Sequence, residues 1–445
     1  MVTKPENNTR PAPQEQVVTV AYLAAQGDGC AKLADGTVVH LPGTLPGETL
    51  RITSTDAKKW RVEAVTTSSD ERVTPPCPLF ERCGGCTLQY MAPSALLRWK
   101  TERVQHALTK AGFTQLPAIQ QHQVPPHSRR RVDLAIRRNG KELIIGLHAR
   151  NSGDVVDLTT CTIMHLKILE ALPVLRQALR SLEGLRQAGE IKINLLDSGL
   201  DILFSTDGAL TSADRTRLAA LASALMAPRI NWYQRGSEAY ETVAQRGSVF
   251  HKFGEVSVAP PAGAFLQATQ QSEAWIQQAV LAALPAKMAK RDVIMELYAG
   301  CGTLSFPLAT RQRILAYEGY PPAAATLKAA SGGMRLDVFC RDLNRQPIMG
   351  KDLSDAAVVV LDPPHAGAKL QMKQLANGKP KHVIYVSCNP AALVADAAVL
   401  HAAGYSLTSV QVVDQFLWSA EVEAVCGFTH GSSRRIRSGP SRLGC

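Results

Sequence analysis

Val293-Ile294-Met295-Glu296-Leu297-Tyr298-Ala299-Gly300-Cys301-Gly302-Thr303 is the stretch on which the reading of the fold turns. Its apolar run suits a buried strand, and that strand passes directly into Gly-x-Gly. A strand ending in such a loop ahead of a helix lets the backbone approach a ligand closely, with the free N–H groups of the helix start facing it. Working outward, the runs Ile314 to Tyr317, Ala357 to Leu361 and His382 to Val386 alternate with helical patterns, and an amphipathic helix is expected over residues 271 to 289. That alternation predicts an α/β Rossmann-like domain built on a doubly wound parallel sheet.

Ligands of open α/β sheets bind beyond the carboxyl ends of the strands. Three acidic residues stand at such ends: Glu318 after Tyr317, Asp342 after Val338-Phe339-Cys340, and Asp362 in Leu361-Asp362-Pro363-Pro364. Glu318, about 20 residues beyond the glycine loop, is placed to accept from ribose hydroxyls. A dinucleotide would want a third glycine in the loop, and here the chain continues Thr303-Leu304-Ser305. S-adenosylmethionine has no pyrophosphate to accommodate, so this loop favours the methyl donor. The strand ending at Val386 then delivers Ser387-Cys388-Asn389-Pro390. A buried structural role is the commoner fate of a lone cysteine. Its place at a strand tip beside the crevice, among polar and turn-forming neighbours, points instead to a nucleophile.

The rest of the chain divides around this domain. At 445 residues it is long enough for two or three cores. Residues 1 to 15 are polar and Pro-rich, a disordered lead. Between Val17 and Val65, short alternating runs broken by Gly27-Asp28-Gly29, Pro42-Gly43 and Pro46-Gly47 suit a small antiparallel barrel over residues 16 to 72. These segments resemble a TRAM domain, an OB-like RNA-binding module. Residues 94 to 111 have helical spacing. A β-rich region with helices near 164–183 and 213–226 occupies Arg129 to about Phe250, which predicts a central α+β domain. Residues 73–93 and 125–260 are assigned to that domain, and 94–124 with 261–428 to the Rossmann-like one. Residues 429–445 are read as a basic flexible tail.

The net charge of +11 suggests a polyanionic partner, and the basic runs Arg129-Arg130-Arg131 and Arg434 to Arg442 favour nucleic acid. The N-terminus lacks the apolar segment of a signal peptide and no run is long enough to span a bilayer, so a cytoplasmic chain with no membrane association is expected. In that compartment the ten cysteines read as ligands, catalytic groups or small buried residues. Cys77-x5-Cys83-Gly84-Gly85-Cys86 groups three thiols around a tight turn, with Cys161, Cys30 and Cys340 as candidates for a fourth. Spacing alone leaves structural zinc and an iron–sulfur cluster open.

With Gly300-Cys301-Gly302, Asp362-Pro363-Pro364 and Ser387-Cys388-Asn389-Pro390 all read, the chain resembles the bacterial 23S rRNA (uracil-5-)-methyltransferase family, the iron–sulfur-containing class I RNA methyltransferases, over nearly its whole length. The resemblance implies S-adenosylmethionine-dependent methylation of uracil C5 in RNA, rRNA first and tRNA second, by a protein expected to act as a monomer. It implies Cys388 as the nucleophile and Glu423 as the base. It places Gln267, Tyr298, Gly300, Gly302, Thr303, Glu318, Asp342 and Asp362 at the cofactor, and Cys77, Cys83, Cys86 and Cys161 on a [4Fe–4S] cluster. Uracil C5 is too weak a nucleophile to attack a methyl sulfonium, and a thiolate adding to C6 makes C5 carbanion-like. Arg129, Arg130 and Arg131 are expected on phosphates, with Phe265 against the flipped base. Two residues depart from the family pattern: Glu421 stands where histidine is usual, and His365 where Asp-Pro-Pro-Arg is usual. Rival readings are an amino-group methyltransferase, suggested by Asp-Pro-Pro, and a catalytically idle RNA-binding protein.

Overall fold

The computed structural model describes residues 14–56, 59–237 and 239–431. The basic run at Arg434 to Arg442 and all but the last two residues of the expected lead therefore lie outside the described residues. Two compact units emerge. The first contains residues 1–98, 149–151 and 418–420, and the second contains the remainder.

In the first unit, five strands (Glu15–Leu23, Gly29–Lys32, Val38–Leu41, Thr49–Asp56 and Lys59–Thr67) form an antiparallel sheet. The sheet order is third, second, first, fourth, fifth. Its edge strands approach one another without a shared ladder, so the expected barrel is a curled sheet rather than a hydrogen-bonded closure. Val18, Val20, Leu41, Leu50 and Ile52 fill its interior from alternate strand positions. Glu48 is buried there, and the Arg72 guanidinium and the N–H of Leu45 hold its carboxyl below the usual carboxylate range despite burial.

The second unit carries two large sheets. A seven-stranded sheet runs in the order Glu241–Gln245, Arg229–Gln234, Gly199–Thr206, Ala188–Leu196, Arg131–Asn139, Glu142–His148, Val155–Asp157. It is antiparallel except where Gly199–Thr206 pairs with Arg229–Gln234, a connection made through the helix Ser212–Ala224. The eight-stranded sheet runs Leu336–Cys340, Arg313–Glu318, Val293–Leu297, Val358–Leu361, His382–Ser387, Glu423–His430, Tyr405–Asp414, Ile119–Gln123. The first five strands are parallel. Glu423–His430 is antiparallel to both its neighbours, so the sheet is mixed rather than parallel throughout.

Continuous apolar strands explain the two covered faces. Val359 and Leu361 meet Val104 and Leu108 of the helix Pro93–Lys110, and Leu393 and Leu400 of the helix Pro390–Ala402. Val358 and Val360 join the opposite core, with Ile276 and Val280 of the helix Gln270–Ala282 and with Phe306 and Leu327. That helix stops at Ala282, short of the expected residue 289, because Pro285 disfavours helical backbone at the residue before it. The expected tail at 429 begins too early: Thr429 pairs with His382 inside the last strand, which runs to His430. Among the described residues no helix is long and apolar enough to cross a membrane.

The strand leading to the last connection is anchored by a buried ion pair. Lys100 Nζ lies 2.5 Å from Asp414 Oδ1 and donates to the carbonyl of Phe416 at 2.9 Å, and both side chains are fully buried. Gln123 donates to the other carboxylate oxygen at 3.0 Å, tying in the edge strand. Removing one partner strands the other charge, so Lys100→Met is expected to lower unfolding stability by roughly 3–5 kcal/mol, measured by denaturant titration.

Candidate active site

The glycine loop is shaped by its backbone. Tyr298, Gly300 and Gly302 have φ values of 66°, 57° and 104°, all in the left-handed region. For tyrosine that conformation is strained, a condition found where a site demands it. At Gly302 a Cβ would lie 2.3 Å from the Phe306 ring and 2.7 Å from Leu327, so only glycine closes this turn against the helix behind it. Gly302 is therefore a packing residue of the loop and does not line the cavity below. The loop is held to the next strand end, since the N–H of Gly300 donates to Glu318 Oε2 at 2.7 Å and that of Tyr320 to Oε1 at 2.6 Å.

The strand ends surround a cavity of about 680 Å³, within the range of small-molecule sites. Gln267, Tyr298, Gly300, Thr303, Glu318 and Asp362 line it, together with Cys388, Glu421, Glu423 and His365. Asp342 does not. It sits beyond Gly319, half-exposed, and accepts from the N–H of Asn344 at 3.0 Å.

Cys388 follows the strand His382–Ser387 and precedes the helix Pro390–Ala402, whose N-cap is Asn389. The side chain of Asn389 accepts from the N–H of Ala391, and Pro390 fits the first helical turn, where its missing N–H costs nothing. Glu423 opens the antiparallel strand alongside. Ser387 pairs with Ala424, so the two chains bring Cys388 and Glu423 to one end of adjacent strands. Glu423 is only 3% exposed.

The site is crowded with acidic groups whose charged forms burial and mutual repulsion disfavour. Burial, then the carboxylates of Glu423 and Asp362, push the Cys388 thiol up to about 12. Burial and the nearby Asp362 raise Glu423 well above the ordinary carboxylate value. Burial lifts Asp362 to about 7, and burial lifts Glu296 to about 8, with the charges of Asp362 and Glu318 adding to it. Glu296 Oε2 and the Tyr298 hydroxyl are buried with no hydrogen-bond partner among the described residues. A ring of carboxylates with orphaned buried oxygens fits a cationic ligand, and a sulfonium with an ammonium group meets that requirement.

Gln415, to which the sequence assigns no role, connects the site. Its amide nitrogen donates to Glu423 Oε2 at 2.7 Å and to Gln267 Oε1 at 2.9 Å. Its oxygen accepts from the N–H of Ala268 and the hydroxyl of Ser272, both at 3.0 Å. With both ends engaged, the amide cannot flip. Gln267 Nε2 reaches on to Asp362 Oδ2 at 3.4 Å, which completes a chain Asp362–Gln267–Gln415–Glu423.

The basic run separates into distinct roles. Arg130 is 4% exposed and paired with Glu273 at 2.6 Å, so it serves the interior and the expected phosphate contact is corrected for this residue. A guanidinium already desolvated and neutralised has nothing to offer a phosphate. Arg131 lies 4.2 Å above the ring of Phe265 and lines the cavity, while Arg129 donates from Nε to the carbonyl of Arg131. Phe265 is 64% exposed and so is not a core phenylalanine. His365 Nε2 lies 3.8 Å from Glu421 Oε2, which brings the two departures from the family pattern together at the cavity rim.

Of the thiols outside this site, Cys83 and Cys86 are buried and Cys77 half-buried in the first unit, and Cys161 is buried in the second. The N–H of Gly85 points at Cys83 Sγ at 3.4 Å. Burial and Cys77 push the Cys83 thiol up. Among the described residues no three His, Cys, Asp or Glu side chains are close enough to hold a metal ion.

The chain is similar to known RNA methyltransferases. A profile of the tRNA (Uracil-5-)-methyltransferase family matches residues 340–429, and one of the TRAM domain matches residues 13–66. An RNA methyltransferase of Caulobacter vibrioides, itself described as uncharacterized, is 37% identical over 93% of this chain and 100% of its own length. The 23S rRNA (uracil(1939)-C(5))-methyltransferase RlmD of Shewanella piezotolerans is 30% identical over 96% of this chain and 98% of its own. Among solved structures, the Pyrococcus abyssi tRNA (uracil-54, C5)-methyltransferase in complex with S-adenosyl-L-homocysteine shares the fold. Its TM-score is 0.69 at 19% identity, covering 93% of this chain and 100% of that one.

The buried Glu296 makes stability pH-dependent with a defined sign. Its folded value near 8 exceeds the ordinary 4.5, so the folded state keeps a proton that the unfolded state releases between those values. Stability without ligand is fully present below about 4.5 and is lost as pH rises toward 8. Thermal melts at pH 5 and pH 8 are expected to show a smaller drop in Glu296→Gln than in the parent chain.

Proposed function

The chain belongs to the RNA uracil-5-methyltransferase family, and on that premise we propose that it methylates C5 of a uracil in 23S rRNA through covalent addition of Cys388 to C6. S-adenosylmethionine-dependent methylation of RNA uracil at C5 is the activity of the chain, and 23S rRNA is the substrate preferred for it. The observation that carries the mechanism is the strand register placing Cys388 and Glu423 side by side at the cavity. The 30% identity with the 23S rRNA enzyme over nearly the full chain supports rRNA ahead of tRNA.

S-adenosylmethionine, when bound, supplies the methyl group as an electrophile. Glu318, Gln267, Tyr298, Gly300, Thr303 and Asp362 are the residues to hold it, and Glu296 adds a further carboxylate. The chain's own part begins at the thiol. The Cys388 thiol gives up its proton to solvent in the open cavity, Sγ as thiolate bonds to C6 of a flipped uracil, and the C5–C6 π electrons move onto C5 and O4. After C5 has gained its methyl group, the Glu423 carboxylate takes the C5 proton. The electrons left behind re-form the C5–C6 bond and expel the thiolate. Gln415 supports this role because its N–H bond to Glu423 Oε2 favours the charged carboxylate and leaves the other oxygen for the proton. Phe265 and Arg131 offer a stacked apolar and cationic edge to the RNA at the cavity mouth.

We keep the iron–sulfur reading as part of this proposal: Cys77, Cys83 and Cys86, with Cys161, take a [4Fe–4S] cluster, structural zinc being the alternative. Supporting it are the spacing around Gly84-Gly85 and the N–H of Gly85 directed at Cys83 Sγ. The thiols as they stand do not form a closed ligand set. No step of the reaction is assigned to the cluster.

Incubation with 5-fluorouracil-substituted 23S rRNA and methyl donor is expected to give a denaturation-stable adduct, because fluorine cannot leave as a proton does. Cys388→Ala should give none, and absence of adduct from the parent chain under conditions of RNA binding would sink the covalent mechanism. With unsubstituted RNA, Glu423→Gln should transfer methyl but release product at least 100-fold more slowly, by the usual scale of a lost general base. Gln415→Leu removes a hydrogen bond that favours ionised Glu423, so the rising limb of its pH–rate profile should move to higher pH. Purification without oxygen should yield a brown protein with iron and sulfide in cluster stoichiometry. A colourless, zinc-loaded chain would overturn the iron–sulfur assignment.

A further inference from the structure

A second cavity of about 390 Å³ lies in the same compact unit, outside the methylation site. Leu196, Arg130 and His251 form its buried floor, and His127, Lys167 and Gln271 stand at its exposed rim. The floor is mostly polar, with Leu195, Leu196, Pro125 and Pro126 as its apolar lining, and hydrogen-bonding side chains at the floor and rim suit a flat polar molecule. Two helices begin at its edge, Leu166–Leu179 behind the N-cap His165, and Gln270–Ala282. Their N-terminal N–H groups carry partial positive charge, which suits a phosphate. The buried polar groups of the floor already have neighbours, Arg130 paired with Glu273 at 2.6 Å and His251 Nδ1 lying 2.7 Å from Asp197. What remains for an anion is Lys167 and the helix starts.

The position of this cavity relative to the methylation site identifies its occupant. Arg131 lines the methylation cavity and Arg130 the second one, because successive residues of extended chain point to opposite sides. Gln267 lines the first and Gln271 the second. The dividing wall is one segment bonded to another, with Arg130 Nε donating to the carbonyl of Gln267 at 3.1 Å and the N–H of Arg130 to that of Ala268 at 2.9 Å. An RNA strand lying across this wall presents its target base to one side and a neighbouring base to the other.

We propose that the second cavity is a nucleotide pocket that takes a base of the same RNA strand, close in sequence to the target uracil, with its phosphate toward Lys167 and the helix starts. The inference rests on the RNA-methylation reading above. Single-stranded RNA is recognised through splayed bases, and holding a neighbour out of the stack lowers the cost of keeping the target flipped.

The test uses the full chain with a 5-fluorouracil-substituted 23S rRNA transcript, and separately the four nucleoside 5′-monophosphates. Gln271→Trp fills the mouth from an exposed position. Lys167→Glu reverses the rim charge, and an acidic residue in the first turn of a helix does not harm the fold. Each variant is expected to weaken transcript binding about tenfold, or about 1.4 kcal/mol. S-adenosylhomocysteine affinity and adduct yield at saturating RNA should match the parent chain. Unchanged transcript affinity in both variants, with adduct still formed, overturns the pocket and leaves the methylation reading standing. Absence of adduct from every chain overturns the methylation reading and this inference with it. Nucleoside monophosphate binding abolished by Gln271→Trp with RNA affinity unchanged makes the cavity a small-molecule site, which also overturns the proposal.

Discussion

The site depends on one reversal of chain direction. Five parallel strands carry their loops to the same edge of the sheet, and Cys388 leaves the fifth at that edge. A further parallel strand would also end there, presenting a loop rather than a strand start. Because Glu423–His430 runs antiparallel, its first residue lies where its neighbour's last one does. Cys388 and Glu423, 35 positions apart in sequence, become neighbours through backbone hydrogen bonding, so the arrangement is as rigid as the sheet.

That rigidity carries an electrostatic cost. Several carboxylates share a poorly solvated cavity, and each disfavours the charge of the others. The fold offsets this with fixed amide groups rather than with counter-charges. Gln415 gives both its donors to site residues and has its oxygen fixed by Ala268 and Ser272, so Glu423 and Gln267 keep their orientation. Of the cations nearby, Arg131 stays at the cavity over Phe265, while Arg130 is used on Glu273 and Lys100 on Asp414, which secures the strand from which Gln415 departs. A cavity crowded with acidic groups in this way favours a cationic ligand, in keeping with a sulfonium donor.

Much of this was legible in the chain. Runs such as Val358–Leu361 and His382–Ser387 are apolar at every core position, as strands covered on both faces must be, and their ends mark Asp362 and Cys388. The edge strand Ile119–Gln123 was not legible, since Ile119-Gln120-Gln121-His122-Gln123 lacks the apolar pattern that pairing on two sides would impose. Arg130 was misread because an arginine between two others looks like surface charge. Only its position opposite Glu273, distant in sequence, makes it an interior residue. Gln415 carries no sequence signal of its role, because a glutamine at the end of a strand is ordinary.

The sequence by itself determined the local chemistry: a strand that turns on Gly300 and Gly302, acidic strand ends at Glu318 and Asp362, and a cysteine at the tip of a strand. Periodicity and turn residues act over a few positions, and so these features can be read without the fold. The tertiary structure alone decided which of those groups meet. It made Gly302 a packing residue, set Asp342 outside the cavity, turned Arg130 inward and Arg131 to the cavity, and brought Glu423 beside Cys388 and Gln415 to Glu423. The physical reason is strand order and direction, which are fixed by the collective burial of two sheet faces and by no single stretch of residues.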